Sequence, residues 1–454
     1  MPDLRNRNTL LLITIFHILM GASGHYVSGV PGYFYLFITC FFIFDILRTR
    51  DQNYRAGFYV LYIMGFEIVY RISGANIAWE AGKYFSVIVL LAGLIAGKRK
   101  DFPWVFVLLG MLLVPSMFLS SDTEPGRTRE LIMFNFSGPF LLVLSGTYFM
   151  GRKVQWTDFV NGFRLAFLPA VSLVVLISLN SGLGDLEFTS IVSNEKAAGG
   201  FGANQVSTLL GWFLLLAFIF RIEGVRLTPY VWGDWAMIAI LLIRGLVTMS
   251  RGGMMAAVIS LLVGIAVLWF GEKSFRLKTR KMTAYILVAF LFLGGVIWFT
   301  NRLTNNFLLY RYQGLSTEEV MTGSAGEGSG YLTGRDDIMA GDIAAFKQYP
   351  VFGVGYGMAA SWHAMYYGMD EPAAHTEYTR LLSENGLLGV IFLVIAFIFL
   401  PVRHYFRNPS VRIRYLFLLL LLVSMLTMFH AAMRLALPGV LYGAAFLSVN
   451  RKLY

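Results

Sequence analysis

Apolar runs of membrane-spanning length recur along almost the whole chain. A helix needs about 20 mainly apolar residues to cross a bilayer, with about 17–25 the usual range. Stretches of that kind fall near 9–22, 30–47, 57–72, 78–96, 102–120, 131–149, 159–179, 203–220, 230–248, 253–271, 282–300, 386–402, 415–430 and 434–449. They predict an all-α fold, a polytopic integral membrane bundle of 12–14 transmembrane helices, the lower figure allowing for the short third and last two stretches. Arg5 and Arg7 precede the first run, and Gly21, Ala22, Ser23 and Gly24 follow it. That pattern is signal-like, and with so many spans behind it an uncleaved signal-anchor is expected. The whole reads as one membrane domain: N-terminal helices over 1–300, a long loop over 301–385 and C-terminal helices over 386–454.

Composition agrees. Of 454 residues, 57% are hydrophobic and only 14% charged, against about 25% charged in soluble domains. A soluble enzyme, a disordered tail protein and a fibrous protein are excluded. The single cysteine, Cys40, excludes an intrachain disulfide and a cysteine-based zinc site.

The net charge of +11 would suggest nucleic acid in a soluble protein, but here the positions of the charges matter more. Basic clusters occupy alternate connections: Arg48–Arg55, Lys98–Lys100, Arg152/Lys153, Arg221/Arg226, Lys273–Lys281 and Arg403–Arg414, with Arg5/Arg7 and Arg451/Lys452 at the ends. The positive-inside rule places these connections and both termini in the cytoplasm. The loop 301–385 is then extracytoplasmic. The unpaired third and fourth stretches are the weak point of this alternation.

Loops longer than about 12–15 residues are usually functional or disordered. Within this one, Ile338, Ile343, Phe346 and Tyr349 recur at roughly helical spacing, which predicts a surface helix over 335–349 ended by Pro350. Phe352-Gly353-Val354-Gly355-Tyr356-Gly357 follows. It lacks the strand before and the helix after that a dinucleotide fingerprint requires, and reads as a tight turn.

Charge at a membrane end on the extracytoplasmic side is a functional hypothesis by default. Arg251, in Ser250-Arg251-Gly252-Gly253, opens a span. Its planar fork of donors suits phosphate oxygens, and the helix N-terminus adds positive dipole; a snorkelling helix-end arginine is the plainer alternative. Arg335 opens the surface helix beside Asp336 and Asp337. Glu67, Arg71, Glu80 and Lys83 surround one short turn and either pair with each other or line a polar cavity. Among six histidines, His375 lies where the long loop meets a span, and an imidazole there can take a proton from a hydroxyl. A metal site built from His363, His375 and an acid lacks dense ligand spacing. Ser193-x-x-Lys196 and Ser383-x-Asn385 imitate a penicillin-binding set, but no Lys-Thr-Gly accompanies them.

His375, Thr376, residues 377–385, Gly386, Leu387-Leu388 and Gly389 resemble the pattern of the O-antigen ligase family, which also contains O-antigen polymerases. That pattern is His, then Asn, Ser or Gln, nine residues, Gly, two residues, then Gly, Thr or Tyr. The chain departs from it at Thr376, which keeps a hydroxyl. Gly334-Arg335, Pro350-x-Phe352-Gly353-x-Gly355 and Ser250-Arg251-Gly252-Gly253 are similar to further family features, so that the likeness covers about residues 245–400. The resemblance implies a GT-C-like glycosyltransferase of the bacterial inner membrane with its site in the periplasm. The donor would be a glycan on undecaprenyl diphosphate. The acceptor would be a sugar hydroxyl, on lipid A–core for a ligase or on a growing glycan for a polymerase. No cofactor, metal, nucleotide or nucleic acid is implied, and membrane lipids are the surroundings. His375 would take the acceptor proton, Arg251 and Arg335 would neutralise the departing diphosphate, and Arg380 is a weaker third candidate. A transporter or flippase would account for the spans, but not for a long loop carrying His375 and several arginines on one side.

Overall fold

The computed structural model describes residues 3–74, 77–99, 101–120, 125–281, 283–315, 317–322, 335–367 and 376–450. Most of them are helical. The first half runs α1 (Arg7–Tyr26), α2 (Val30–Thr49), α3 (Arg55–Ile72), α4 (Ala81–Ala96), α5 (Trp104–Leu113), α6 (Pro125–Phe149), α7 (Trp156–Asn180), α8 (Ala203–Ile222), α9 (Val231–Val247) and α10 (Arg251–Gly271). Then come α11 (Lys273–Lys281), α12 (Thr283–Leu303), and four short helices, α13 (Phe307–Gln313), α14 (Thr317–Thr322), α15 (Arg335–Gln348) and α16 (Met358–Tyr367). The chain closes with α17 (Glu377–Val394), α18 (Leu400–Arg407), α19 (Val411–Ala431) and α20 (Leu437–Ala445). A wide helical turn, Ile395–Phe399, joins α17 to α18. It lies just before Pro401, which has no N–H to donate and whose ring crowds the carbonyl four residues back.

Each of the fourteen apolar stretches falls on a helix. Among the described residues, nine helices are long and apolar enough to cross a membrane, with α17 and α18 counted as one of 31 residues. The other stretches fall on α3, with three charged residues in 18, and on the shorter α4, α5, α9 and α20. The chain is a polytopic helical membrane protein. The surface helix expected over 335–349 is α15, and the 301–385 segment holds short helices as anticipated. α17, however, starts inside that segment, because the Thr376 side chain accepts the Tyr378 N–H at 3.3 Å and caps the helix there.

α3 lies at the centre, with every residue from Ala56 to Tyr70 buried. It packs on α7, α4 and α2, while α8, α10, α19, α20 and α6 form a continuous series of neighbours beside it. α8 and α10 cross closely: a Cβ on Gly211 would stand 2.2 Å from the Gly253 carbonyl oxygen. Without a hydrophobic drive between helices in lipid, such close backbone approach is a main source of packing energy. α12 stands apart, and among its described residues only Thr300 and Asn301 are buried.

Contacts sort the connections into two ends. At one, Arg152 pairs with Asp51 at 3.0 Å, and Arg412 bridges Glu223 and Glu272, each at 2.7 Å. Arg164 donates to the carbonyls of Leu4 and Arg226. Lys153–Gln155 (β1) pairs in parallel with Ser448–Asn450 (β2) at the same end. At the other end, Gly29 bonds Ser73 and Asn194 bonds Thr248 through the backbone. Arg311 donates to the Met249 carbonyl and Ser116 to that of Phe352. The basic connections thus share one end, opposite the short helices of the long segment.

Candidate functional site

The site is organised by a break in α17. Gly386 has φ 58° and ψ −138° in the middle of the helix. That region is essentially open only to glycine. The carbonyls of Ser383 and Glu384 are thereby released from helical bonding. The turn after Pro350 takes them up: Val354 N–H donates to Ser383 O at 2.9 Å and Gly355 N–H to Glu384 O at 3.1 Å, while Leu387 N–H returns to Pro350 O at 2.7 Å. Gly353, Gly355 and Gly357 all have positive φ, so the glycine run is a tight turn docked on a helix. Tyr356 anchors it, fully buried with its ring 5.5 Å from that of Phe136 on α6. Burial pushes the Tyr356 phenol up, and it stays protonated. A Cβ on Gly386 would stand 2.6 Å from Gly353 N. Gly386→Ala should therefore cost about 1–3 kcal/mol, read as a lowered melting temperature in detergent; an unchanged melting point would mean that the break is not required.

Beside this junction is a cavity of about 190 Å³, lined by Asn135 of α6, Asp342 of α15, His363 of α16, Glu377, Arg380 and Glu384 of α17, and the 432–434 segment between α19 and α20. Arg380 is buried in its wall. Its Nε donates to Glu377 Oε2 at 3.3 Å, Nη1 to Asn135 Oδ1 at 2.8 Å and Glu384 Oε2 at 2.9 Å, and Nη2 to the Asn135 carbonyl at 3.1 Å and to Glu377 Oε1. A guanidinium has five N–H donors, and all five are engaged. Glu384 also accepts the Gly357 N–H at 3.0 Å, tying the glycine turn into the same network.

A second buried cluster explains how the 432–434 segment is held. Arg71 pairs with Glu67 at 2.7 Å and with Glu80 at 3.5 Å, and Lys83 pairs with Glu80 at 2.7 Å. These groups do more than pair with each other. Lys83 Nζ donates to Met433 O, Arg71 Nη2 to Arg434 O, and Glu67 Oε2 accepts the Ala436 N–H at 2.9 Å. From the other side, Glu377 Oε2 accepts the Met433 N–H at 3.1 Å. The grip persists although Ala432 has φ 50° and ψ −157°, a strained conformation that surrounding structure must over-determine. It leaves Arg434 on the cavity wall.

Of the sequence candidates, Arg380 lines the cavity. Arg335 opens α15, whose Ile338 and Asp342 also line it, but the Arg335 side chain lies outside the described residues, as does His375. Arg251 opens α10, is buried, and donates from Nη1 to the Arg311 carbonyl at 2.6 Å. It is not among the cavity-lining residues. The next residue, Gly252, packs on His430, where a Cβ would stand 2.1 Å from the ring, so Arg251 sits at the same end of the bundle as the 432–434 segment. Among the described residues, no group of three or more His, Cys, Asp or Glu side chains forms a metal set. Sequence reasoning missed Asp342 and Arg434, and weighed His363 only as a metal ligand. Arg434 carried one signal, a charge at the mouth of an apolar run. Asp342 and His363 carried none, since 21 residues without common periodicity separate them.

No curated protein matches the chain. Residues 236–394 match the family model described as O-Antigen ligase. That interval contains Arg251, α15, the glycine turn and the whole of α17, so the junction and much of the cavity wall fall inside it. Over residues 236–394, about a third of its length, the chain is similar to the O-antigen ligase family.

Proposed function

We propose that this protein moves a glycan from undecaprenyl diphosphate to a sugar hydroxyl of lipid A–core, at the periplasmic face of the bacterial inner membrane. The observation that carries the reading is a cavity whose charged lining comes largely from the family-matched segment, at the end of the bundle away from the basic connections. The reaction is a single displacement. The acceptor oxygen bonds to the anomeric carbon while that carbon's bond to the diphosphate oxygen breaks. The leaving undecaprenyl diphosphate keeps the electron pair, and His375 takes the hydroxyl proton. Support for His375 comes from its neighbour Thr376, which caps the helix that forms the cavity wall. Arg251 and Arg335 neutralise the departing diphosphate. Arg380, with every donor engaged, holds the wall instead of binding phosphate.

Deleting the gene and running a gel of lipopolysaccharide tests this. Loss of all capped core, with lipid-linked polymer retained, is the expected result. Core bearing a single repeat would make the protein a polymerase, and unchanged lipopolysaccharide would sink both readings.

Orientation has its own check. A reporter enzyme that works only in the cytoplasm, fused near Gly326, should be silent; activity there would invert the topology. For Arg251, charge alone is not enough if its fork binds phosphate. Arg251→Lys should stay impaired in transfer from a lipid-linked donor, and full activity in that variant would leave Arg251 as a helix-end anchor.

A further inference from the structure

Asp342 and His363 have no part in the mechanism above, yet they lie side by side, buried, on the cavity wall. Asp342 Oδ2 accepts the Thr379 hydroxyl at 2.7 Å and Oδ1 accepts that of Ser383 at 3.1 Å, so α17 holds the carboxylate of α15. His363, on α16, places Nε2 3.4 Å from Asp342 Oδ1. The imidazole is only 1% exposed, and among the described residues neither ring nitrogen has a hydrogen-bond partner. Gly341 packs directly on the ring, where a Cβ would stand 2.8 Å from Nε2. The absent side chain at 341 is what lets the imidazole lie against α15.

A buried polar group without a partner calls for an explanation. The Asp342 carboxylate 3.4 Å from Nε2 favours Nε2–H in the neutral ring, which leaves Nδ1 as the acceptor. Other polar groups on the wall are already committed: Arg380 has no donor to spare, Glu377 accepts from Arg380 and Met433, and Glu384 accepts from Arg380 and Gly357. The wall carries the acidic side chains of Asp342, Glu377 and Glu384 beside Arg380 and Arg434, and Arg380 has no donor left for a further anion. That balance disfavours a diphosphate here and suits an uncharged group that donates a hydrogen bond.

We propose that the cavity is a glycan-hydroxyl subsite in which His363 Nδ1 accepts a hydrogen bond from a sugar hydroxyl, with Asp342 as the positioning residue that holds the ring. This rests on the glycan-transfer reading and names a binding group it did not contain. The hydroxyl belongs either to the acceptor or to the glycan of the donor, and the test separates the two.

The full-length protein, labelled with ¹⁵N-histidine, has six imidazoles to follow. The His363 signals are assigned from His363→Gln or, should that variant not fold, by substituting the other five in turn. Delipidated core oligosaccharide, a lipid-diphosphate-linked glycan and undecaprenyl diphosphate without sugar are added separately. Movement with at least one glycan and none with undecaprenyl diphosphate is expected, and which glycan acts identifies the source. No movement with either glycan, or equal movement with undecaprenyl diphosphate, overturns the proposal. In steady state, His363→Ala should raise KM for that glycan roughly 3–10-fold, with the other substrate's KM unchanged, and His363→Gln should recover most of the loss. Asp342→Asn should shift KM the same way, since it loosens the ring without touching the sugar. Parallel loss for both substrates would mark a merely structural pair. An inactive parent protein whose His363 signal still moves with glycan would sink the transfer reading and uphold the subsite.

Discussion

His375→Ala is expected to lose glycan transfer by roughly 10²–10⁴-fold, the usual contribution of a positioned proton acceptor, while donor binding stays near the parent value. A sugar hydroxyl is a poor nucleophile near neutral pH, so its proton must leave as the bond to the anomeric carbon forms. Affinity for the lipid diphosphate should survive, because Arg251 and Arg335 are the groups proposed to hold it and neither depends on an imidazole. Donor affinity and turnover must be measured on one preparation. Turnover within a few-fold of the parent would place the base elsewhere or make it unnecessary. Collapse of donor binding together with turnover would move His375 into the phosphate site. His363→Ala makes a useful comparison, since it removes a hydrogen-bonding group from the cavity wall and should act on KM.

Arg380→Ala should be the most damaging single change to stability. It would leave Glu377 and Glu384 buried without their shared cation, and breaking a buried ion pair from one side typically costs about 3–5 kcal/mol. The loss should spread beyond α17. Asn135 on α6, the glycine turn through Glu384 and the Met433 backbone through Glu377 would all lose a partner or its support. Arg380→Lys should recover part of the stability, because a point charge can stay near both carboxylates but cannot make five directed bonds. Melting in detergent and the yield of folded protein are the readouts. A melting temperature unchanged in Arg380→Ala would show that the carboxylates reach water or protons at little cost, and that the network is not what holds the cavity.

Much of the architecture was legible along the chain because its causes are local. Hydrocarbon thickness sets the length of each apolar run, and every one of those runs became a helix. The alternation of basic connections was equally readable, and the contacts of Arg152, Arg164 and Arg412 gather those connections at one end. A helix over 335–349, its stop at Pro350 and the turn at Gly353–Gly357 followed from periodicity and from residues that tolerate positive φ. The Glu377–Arg380–Glu384 pairing was not read, because its spacings of three and four count only on a helix, and α17 begins inside the segment expected to be loop.

What the sequence could not determine was whether those charges met water or protein. The same spacing on an exposed helix would be a solvated pair worth little. Burial came from α6 and from the 432–434 segment, 245 and 56 residues away along the chain. Likewise, Glu67, Arg71 and Lys83 found their purpose only when α3 and α4 met backbone some 350 positions later. Asp342 and His363 became a pair because Gly341 leaves room for a ring from another helix. Local pattern by itself determined where the apolar helices form, how they alternate and that Gly353–Gly357 turns the chain, since those follow from backbone geometry and from transfer of side chains into lipid; the start of α17 and its break at Gly386 were not among them. Only the tertiary structure decided which polar groups are buried together, because that depends on distant helices closing around them and removing the water that would otherwise satisfy each one alone.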